Sequence, residues 1–385
     1  MIPYSRQSIN DDDINEVIKV LKSDLITQGP IVQKFAKTIC TYTSSNYSVL
    51  TNSATSALHI ACLSLGLGKG DILWTSPNSY VASANVGLLC NAEIDFVDID
   101  PFNYNICINA LSDKLKNAEK YGKLPKIVMP VHFAGQSCDM KAIKKLSKKY
   151  GFKIIEDASH AIGGSYNGTK IGSCRFSDIT VFSFHPVKII TTAEGGCATT
   201  NNTEIFENLK LFSSHGVTRD PKKMVIKTDE PWIYDQISIG LNYRMSDLNA
   251  ALGLSQILKI DKFITKRHEI ARNYSKQLKA IDLLLPKQED YSLSAFHLFP
   301  IQVKNRKKVF NLLHQNNIKV NVHYRPIYTQ PFWQKKGFKY GMCPNSEYYY
   351  SRAISLPMFY DLNDEMQNKV IELSLIHISE PTRQL

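Results

Sequence analysis

The sequence has no apolar run that approaches the roughly 20 residues a membrane-spanning helix needs, no internal repeat and no low-complexity tract. None of its eight cysteines forms a CxxC pair, and their spacings fit neither a disulfide framework nor a zinc site. Several sit inside apolar runs, as free thiols do in a reducing compartment. The polar, acidic stretch from Met1 to Asp13 has no secretory h-region. A cytoplasmic protein with no metal and no membrane contact is therefore expected. Familiar catalytic signatures are also missing. There is no H-E-x-x-H and no G-x-S-x-G. Gly66-Leu67-Gly68-Lys69-Gly70 lacks the G-x-G-x-x-G spacing of a dinucleotide site, and Gly164 to Lys170 has three residues, not four, between its glycines, so it is no P-loop.

Acidic residues are outnumbered, 35 against 46 basic ones, for a formal charge of +11. The basic residues do not form a nucleic-acid motif. Lys141, Lys144, Lys145, Lys148 and Lys149 recur at helical spacing with Ile143 and Leu146 opposite, which describes a wet helix face. No nucleic-acid partner is expected. The excess positive charge also suits anionic small substrates.

What is present is alternation. Strand-like runs at Ser48–Thr51, Asp71–Thr75, Ile94–Ile99, Lys126–Val131, Phe152–Glu156, Ile179–Phe184 and Gly196–Thr200 are separated at first by helical patterns at Ala54–Leu65, Val81–Cys90, Ile108–Lys120 and Met140–Tyr150. That order predicts an α/β fold: a mostly parallel seven-stranded sheet with helices on both faces. Ser246 reads as a helix N-cap, and helical pattern resumes over Asp261–Leu278. Beyond residue 281 a strand at Phe296–Val303, a helix at Lys307–Asn316 and a strand at Lys319–Tyr324 suggest a small C-terminal α+β domain. The expected division is 1–250 for a large cofactor-binding domain, 251–280 for a long connecting helix and 281–375 for the small domain. Residues 376–385 fit poorly, because Ser379-Glu380-Pro381-Thr382 breaks the pattern through Met366, Val370 and Leu373. They read as a dispensable tail, in the manner of adapter read-through or a frayed terminus.

Ligands of such sheets lie beyond the carboxyl ends of the strands. Asp157, in Asp157-Ala158-Ser159-His160, follows one strand. An ionised carboxylate there can keep a pyridine nitrogen protonated, although an aspartate alone more often caps a helix or turn. Lys188 closes Ser183-Phe184-His185-Pro186-Val187-Lys188 after the next strand. A deprotonated lysine can form a Schiff base. A single lysine is usually a surface residue, but the segment from Phe184 to Thr192 is apolar and small, and Glu194-Gly195-Gly196 follows as a tight turn. Asn52 to Ala57 opens a helix after the first strand, where a phosphate would meet free N–H groups; simple capping explains it equally well.

Together these segments resemble the DegT/DnrJ/EryC1/StrS sugar aminotransferases, from Tyr4 to about Leu373. The stretches that carry the resemblance are Asp157 to Gly163, Ser183 to Lys188, Glu194-Gly195-Gly196 and Gly240-Leu241-Asn242-Tyr243-Arg244-Met245-Ser246. The resemblance implies the aspartate-aminotransferase-like type I fold and pyridoxal 5'-phosphate as cofactor. It implies that Lys188 holds the cofactor and moves the proton, that Asp157 pairs with the ring nitrogen and that His160 sits near the ring hydroxyl. Tyr80 would stack on the ring. Ala54, Thr55 and Ser183 would hold the phosphate, with Asn242 supplied by the partner subunit of a homodimer. Thr27-Gln28-Gly29-Pro30, Asn52 to Leu58 and Val322 to Tyr328 look most like the transaminases of pseudaminic acid synthesis. That implies L-glutamate as amino donor and a UDP-linked 4-keto sugar as acceptor. Tyr4, Asp24, Leu25, Ile26, Thr27, Val322, His323, Tyr324 and Arg325 would then line the sugar-nucleotide site, together with Ala54, Ser183 and Asn242. Another keto sugar, or a dehydratase or binding relative, is the alternative; the retained lysine favours transamination.

Overall fold

The computed structural model describes residues 1–228, 230–279 and 283–378, without the side chains of 376–378. All seven expected strands are present and form one sheet: β1 (Tyr47–Thr51), β2 (Ile72–Thr75), β3 (Glu93–Phe96), β4 (Ile127–Met129), β5 (Lys153–Asp157), β6 (Ile179–Ser183) and β7 (Gly196–Thr200). Their spatial order is β1-β7-β6-β5-β4-β2-β3. Only β7 runs antiparallel to its neighbours; every other pairing is parallel. β3 stops at Phe96, short of the expected Ile99. There the Asp98 carboxylate bonds Ile99 N and the amides of Asn345 and Ser346, which draws the chain out of the ladder.

Helices cover both faces. They are α1 (Asp11–Leu21), α2 (Pro30–Thr43), α3 (Ala54–Ser64), α4 (Ala82–Leu89), α5 (Ile108–Lys120), α6 (Met140–Tyr150), α7 (Thr203–Ser213), α8 (Asp247–Ile257) and α9 (Ile260–Leu278). The period-two alternation of strands sorts the core. Ile127 and Met129 of β4 pack with α3 and α4, whereas Val128 between them packs with Leu111, Leu115 and Ile143 of α5 and α6. Phe182 of β6 is fully buried against Phe35 of α2 and Phe263 of α9. Truncating such a side chain costs about 3–5 kcal/mol. The lysine-rich face of α6 is outward, with Ile143 buried, as its spacing requires.

Where one connecting helix over 251–280 is expected, the chain has two. Ser246 caps α8, accepting from Asn249 N. The break falls at Leu258–Lys259, a turn that stays in the right-handed region (Lys259 φ −103°, ψ −1°), and the Lys259 ammonium sits 2.7 Å from the fully buried carboxylate of Asp13 in α1. Further on lie β8 (Phe299–Gln302), α10 (Arg306–Gln315), α11 (Pro331–Lys335), α12 (Pro344–Arg352), β9 (Ala353–Leu356) and α13 (Asp364–Ile378). β8 and β9 pair antiparallel over a cluster that also takes in Ile2, Tyr274 and Val370. The strand expected at Lys319–Tyr324 is absent. Asn321 makes a single bridge to Ser355, and its own side chain accepts from Val322 N, so the side chain competes with a ladder. α13 continues through Ile378, so the first three residues of the expected tail, 376–378, are helical; the expected break at Ser379–Thr382 lies outside the described residues.

Candidate active site

The carboxyl ends of β1, β5 and β6 open on one cavity of about 680 Å³, closed on the far side by residues 321–325 and Tyr4. Lys188 lines it. The loop that carries Lys188 is pinned from within: Phe184 N donates to Gly195 O, Thr192 N to Phe184 O and Lys188 N to His185 O. Phe184, Ile189 and Ile190 are buried, which anchors the turn on both sides of the lysine. Among the described residues Lys188 Nζ has no hydrogen bond and no ion pair. Burial lowers its pKa to about 8, against the opposing pull of the Asp157 charge.

Asp157 ends β5 and is 4% exposed. Ser83 Oγ donates to Oδ2 at 2.6 Å; Ser159 donates to Oδ1 from Oγ at 2.6 Å and from N at 3.2 Å. Ser79 Oγ lies 2.7 Å from Ser83 Oγ. Since Ser83 spends its hydrogen on the carboxylate, Ser79 donates to Ser83. Among the described residues no Lys, Arg or His nitrogen lies within 4 Å of this carboxylate. A buried carboxylate normally has a cationic partner, and its remaining lone pairs can take one. The cavity therefore offers an unpaired carboxylate and an unpaired amine that releases its proton more readily than an ordinary lysine, the pair that a protonated pyridine bearing an aldehyde would satisfy.

The start of α3 fits a phosphate. Ser53 caps the helix, accepting from Ser56 N, and the N–H groups of Ala54 and Thr55 precede any intrahelical acceptor. Gly196 makes this approach possible, because a Cβ there would sit 2.5 Å from Ala54 N and Ser53 O. Ser183 lines the same end of the cavity. Tyr80, just before α4, is 64% exposed and flanks the opening.

His160 is 5% exposed. Its Nδ1 accepts from Ala134 N, and its Nε2 lies 3.1 Å from Tyr324 Oη. Burial, with the charges of Lys188 and His323, pushes its pKa well below the ordinary histidine value. Burial and Lys188 likewise take His323 down to about 3. Arg325 is held by its own turn, with Nε and Nη2 on Thr329. Tyr4, Val322, His323, Tyr324 and Arg325 all line the cavity. Asp24, Leu25, Ile26, Thr27 and Asn242 do not; all five are exposed and outside this chain's cavity. The two segments are nonetheless neighbours, joined by the Thr27–Ser246 bridge and by Asp247, whose carboxylate takes the amides of Gly29 and Ile31. The sequence reading missed Ser79, Ser83 and Ser159. The i, i+4 spacing of the first two around Tyr80 was the available signal.

The DegT/DnrJ/EryC1/StrS aminotransferase family matches residues 7–374. A UDP-4-amino-4,6-dideoxy-N-acetyl-beta-L-altrosamine transaminase of Campylobacter jejuni is 37% identical over 94% of each chain. Among solved structures, Helicobacter pylori PseC, an aminotransferase involved in the biosynthesis of pseudoaminic acid, superposes with a TM-score of 0.89 at 32% identity over 98% of this chain and 99% of its own. The PLP-form of the putative sugar aminotransferase Spr1654 of Streptococcus pneumoniae superposes with a TM-score of 0.86 at 27% identity over 96% and 97%. The fold, the cavity and these matches agree: the chain belongs to the DegT/DnrJ/EryC1/StrS aminotransferase family and is a pyridoxal-phosphate-dependent sugar aminotransferase.

Proposed function

We propose that the chain moves an amino group from L-glutamate to the 4-keto carbon of a UDP-linked 4-keto-6-deoxy-N-acetylhexosamine, as in pseudaminic acid biosynthesis. The observation that carries this reading is the near full-length similarity to two proteins named for that chemistry, from Campylobacter and Helicobacter. The positions expected to meet the sugar nucleotide on this chain, Tyr4 and Val322 to Arg325, converge on the Lys188 cavity.

Pyridoxal phosphate, when bound, supplies an aldehyde that carries the amino group between substrates and a ring that delocalises charge from the adjacent carbon. The chain's residues supply the rest. Lys188, whose pKa of about 8 gives it more of the neutral amine near neutral pH than an ordinary lysine has, would attach the cofactor and move a proton between the two carbons that exchange the amine. Asp157 would keep the ring nitrogen protonated, Tyr80 would stack on the ring, and Ala54, Thr55 and Ser183 would hold the phosphate. Glutamate and the keto sugar use the same cavity in turn, so the kinetics are ping-pong.

The protein works as a homodimer in the cytoplasm, with residues 1–250 and 281–375 flanking the cavity and 251–280 joining them. Asn242 and the Asp24–Thr27 segment, all exposed, serve the partner's site. Mixing Lys188→Ala with Asn242→Ala chains then restores part of the activity through hybrid dimers. No recovery despite proven subunit exchange would place each site within one chain. The substrate assignment is tested by incubating the holoenzyme and glutamate with UDP- and dTDP-linked 4-keto sugars. Amination of the UDP N-acetyl sugar with the highest kcat/KM supports it; preference for a different nucleotide or ring replaces it.

A further inference from the structure

His160 is held between two neighbours whose polarity can be read. A backbone amide can only donate, and Ala134 N lies 3.3 Å from His160 Nδ1. Nδ1 therefore carries the lone pair, and the ring hydrogen belongs to Nε2. Nε2 in turn lies 3.1 Å from Tyr324 Oη, which must accept. The amide is not free to swing away. Ala134 has φ 57° in the short turn Phe133–Gly135. That turn is bonded to the 295–298 segment on both strands of approach, Ala295 N to Gly135 O and Leu298 N to Ala134 O. A Cβ on Gly135 would sit 2.7 Å from Phe296 N, so the contact is tight.

The surroundings disfavour a charged imidazole. Lys188 and His323 act on it across the cavity, the His297 ring packs 4.4 Å away, centroid to centroid, and Tyr324 covers Nε2. Asp157, three residues earlier, spends its oxygens on Ser83 and Ser159. Tyr324 stays protonated as well: burial, then Tyr4, Asp157 and Tyr80, raise its pKa. Among the described residues no acceptor is found for its hydroxyl hydrogen.

We infer that His160 is a positioning residue: locked as the neutral Nε2–H tautomer, it fills an acceptor position on Tyr324 and leaves that hydroxyl's own hydrogen for an acceptor oxygen brought into the cavity. The inference deepens the proposed function and rests on the keto sugar entering this cavity. It takes His160 out of the acid–base chemistry and makes Tyr324 an obligate donor. The oxygen it meets belongs to the sugar or to the cofactor ring, and the two sources are separable.

Two measurements on the holoenzyme test this. First, ¹⁵N spectra of histidine-labelled protein, assigned by His160→Asn, should show His160 with a protonated Nε2 and an unprotonated Nδ1 that does not titrate between pH 6 and 9. A protonated Nδ1, or a ring that titrates in that range, overturns the lock; this readout does not depend on which sugar is used. Second, the half-reactions of Tyr324→Phe should be followed in a stopped-flow instrument. A tenfold or larger loss confined to the sugar half-reaction identifies a sugar oxygen as the acceptor. A comparable loss in both halves, with a shifted absorbance band, identifies the cofactor's ring oxygen. Rates within twofold of wild type in both halves overturn the donor role. Failure of every nucleotide keto sugar to react, with the ¹⁵N result intact, would count against the substrate assignment and not against the lock.

Discussion

Asp157→Asn separates cofactor binding from catalysis, and the structure sets how much each should lose. The carboxylate accepts three hydrogen bonds, two from Ser159 on Oδ1 and one from Ser83 on Oδ2. Ser159 N–H cannot reverse, so an amide must place its oxygen at Oδ1 and its NH₂ toward Ser83. Ser83 can accept that hydrogen only by turning its own toward Ser79, 2.7 Å away, which inverts the relay. The fold therefore keeps every partner but its three bonds lose their charge assistance, a cost of about 2–3 kcal/mol. The phosphate grip and the Lys188 link are untouched, so the cofactor stays bound. Chemistry loses more. A neutral amide cannot hold the ring proton, and removal of such a fixed charge costs roughly 10²–10³ in rate, about 3–4 kcal/mol. The assay is stopped-flow measurement of both half-reactions, with the absorbance spectrum after dialysis and a thermal melt. Slow halves in both directions with cofactor retained is the expected result. Rates within threefold of wild type would refute the reasoning, because Asp157 would then be only a turn residue.

Three further outcomes follow from the geometry. In the apo-protein, Lys188 releases its proton near pH 8, below the ordinary 10.5. Between those values the unfolded chain binds more protons than the folded one, so apo stability should rise with pH across that window. The pH dependence of borohydride-trapped cofactor should have a midpoint near 8, moving lower in Asp157→Asn, whose lost charge had raised it; a midpoint near 10 would contradict this. Gly196→Ala should cost about 1–3 kcal/mol by overpacking and weaken cofactor retention, because its Cβ meets Ala54 N at 2.5 Å; an unchanged melt and cofactor affinity would show that α3 can move aside. A chain ending at Ile378 should keep full activity and melting temperature, since the buried side of α13 is carried by Val370, Ile371 and Ser374; a large loss of either would make residues 379–385 native structure.

Much of the fold was legible because period and burial agree. Ile108–Lys120 and Met140–Tyr150 match α5 and α6 residue for residue, where amphipathic helices are bounded by turns. The crevice was legible from Asp157 and Lys188, one at the end of a strand and the other in the loop after the next. Three features were not. The place of β7 between β6 and β1 depends on β1, about 150 residues earlier in the chain. α2 begins at Pro30, and Asp247, more than 200 residues away, accepts from its early amides Ile31 and Val32. Ser83 reaches Asp157 across 74 residues, so a local reading assigns it only to a helix. The Lys319–Tyr324 run has strand-like composition, but its backbone is used to carry His323 and Tyr324 to the cavity.

The central claim is that Lys188 is the attachment point of the cofactor. Borohydride reduction of the wild-type holoenzyme, followed by peptide mapping, should place the reduced pyridoxyl group on Lys188. The same treatment of Lys188→Ala, folded and incubated with pyridoxal phosphate, should leave no stoichiometric adduct. A stoichiometric adduct on any other lysine of the wild type, or persistent trapping on the variant, would contradict the account.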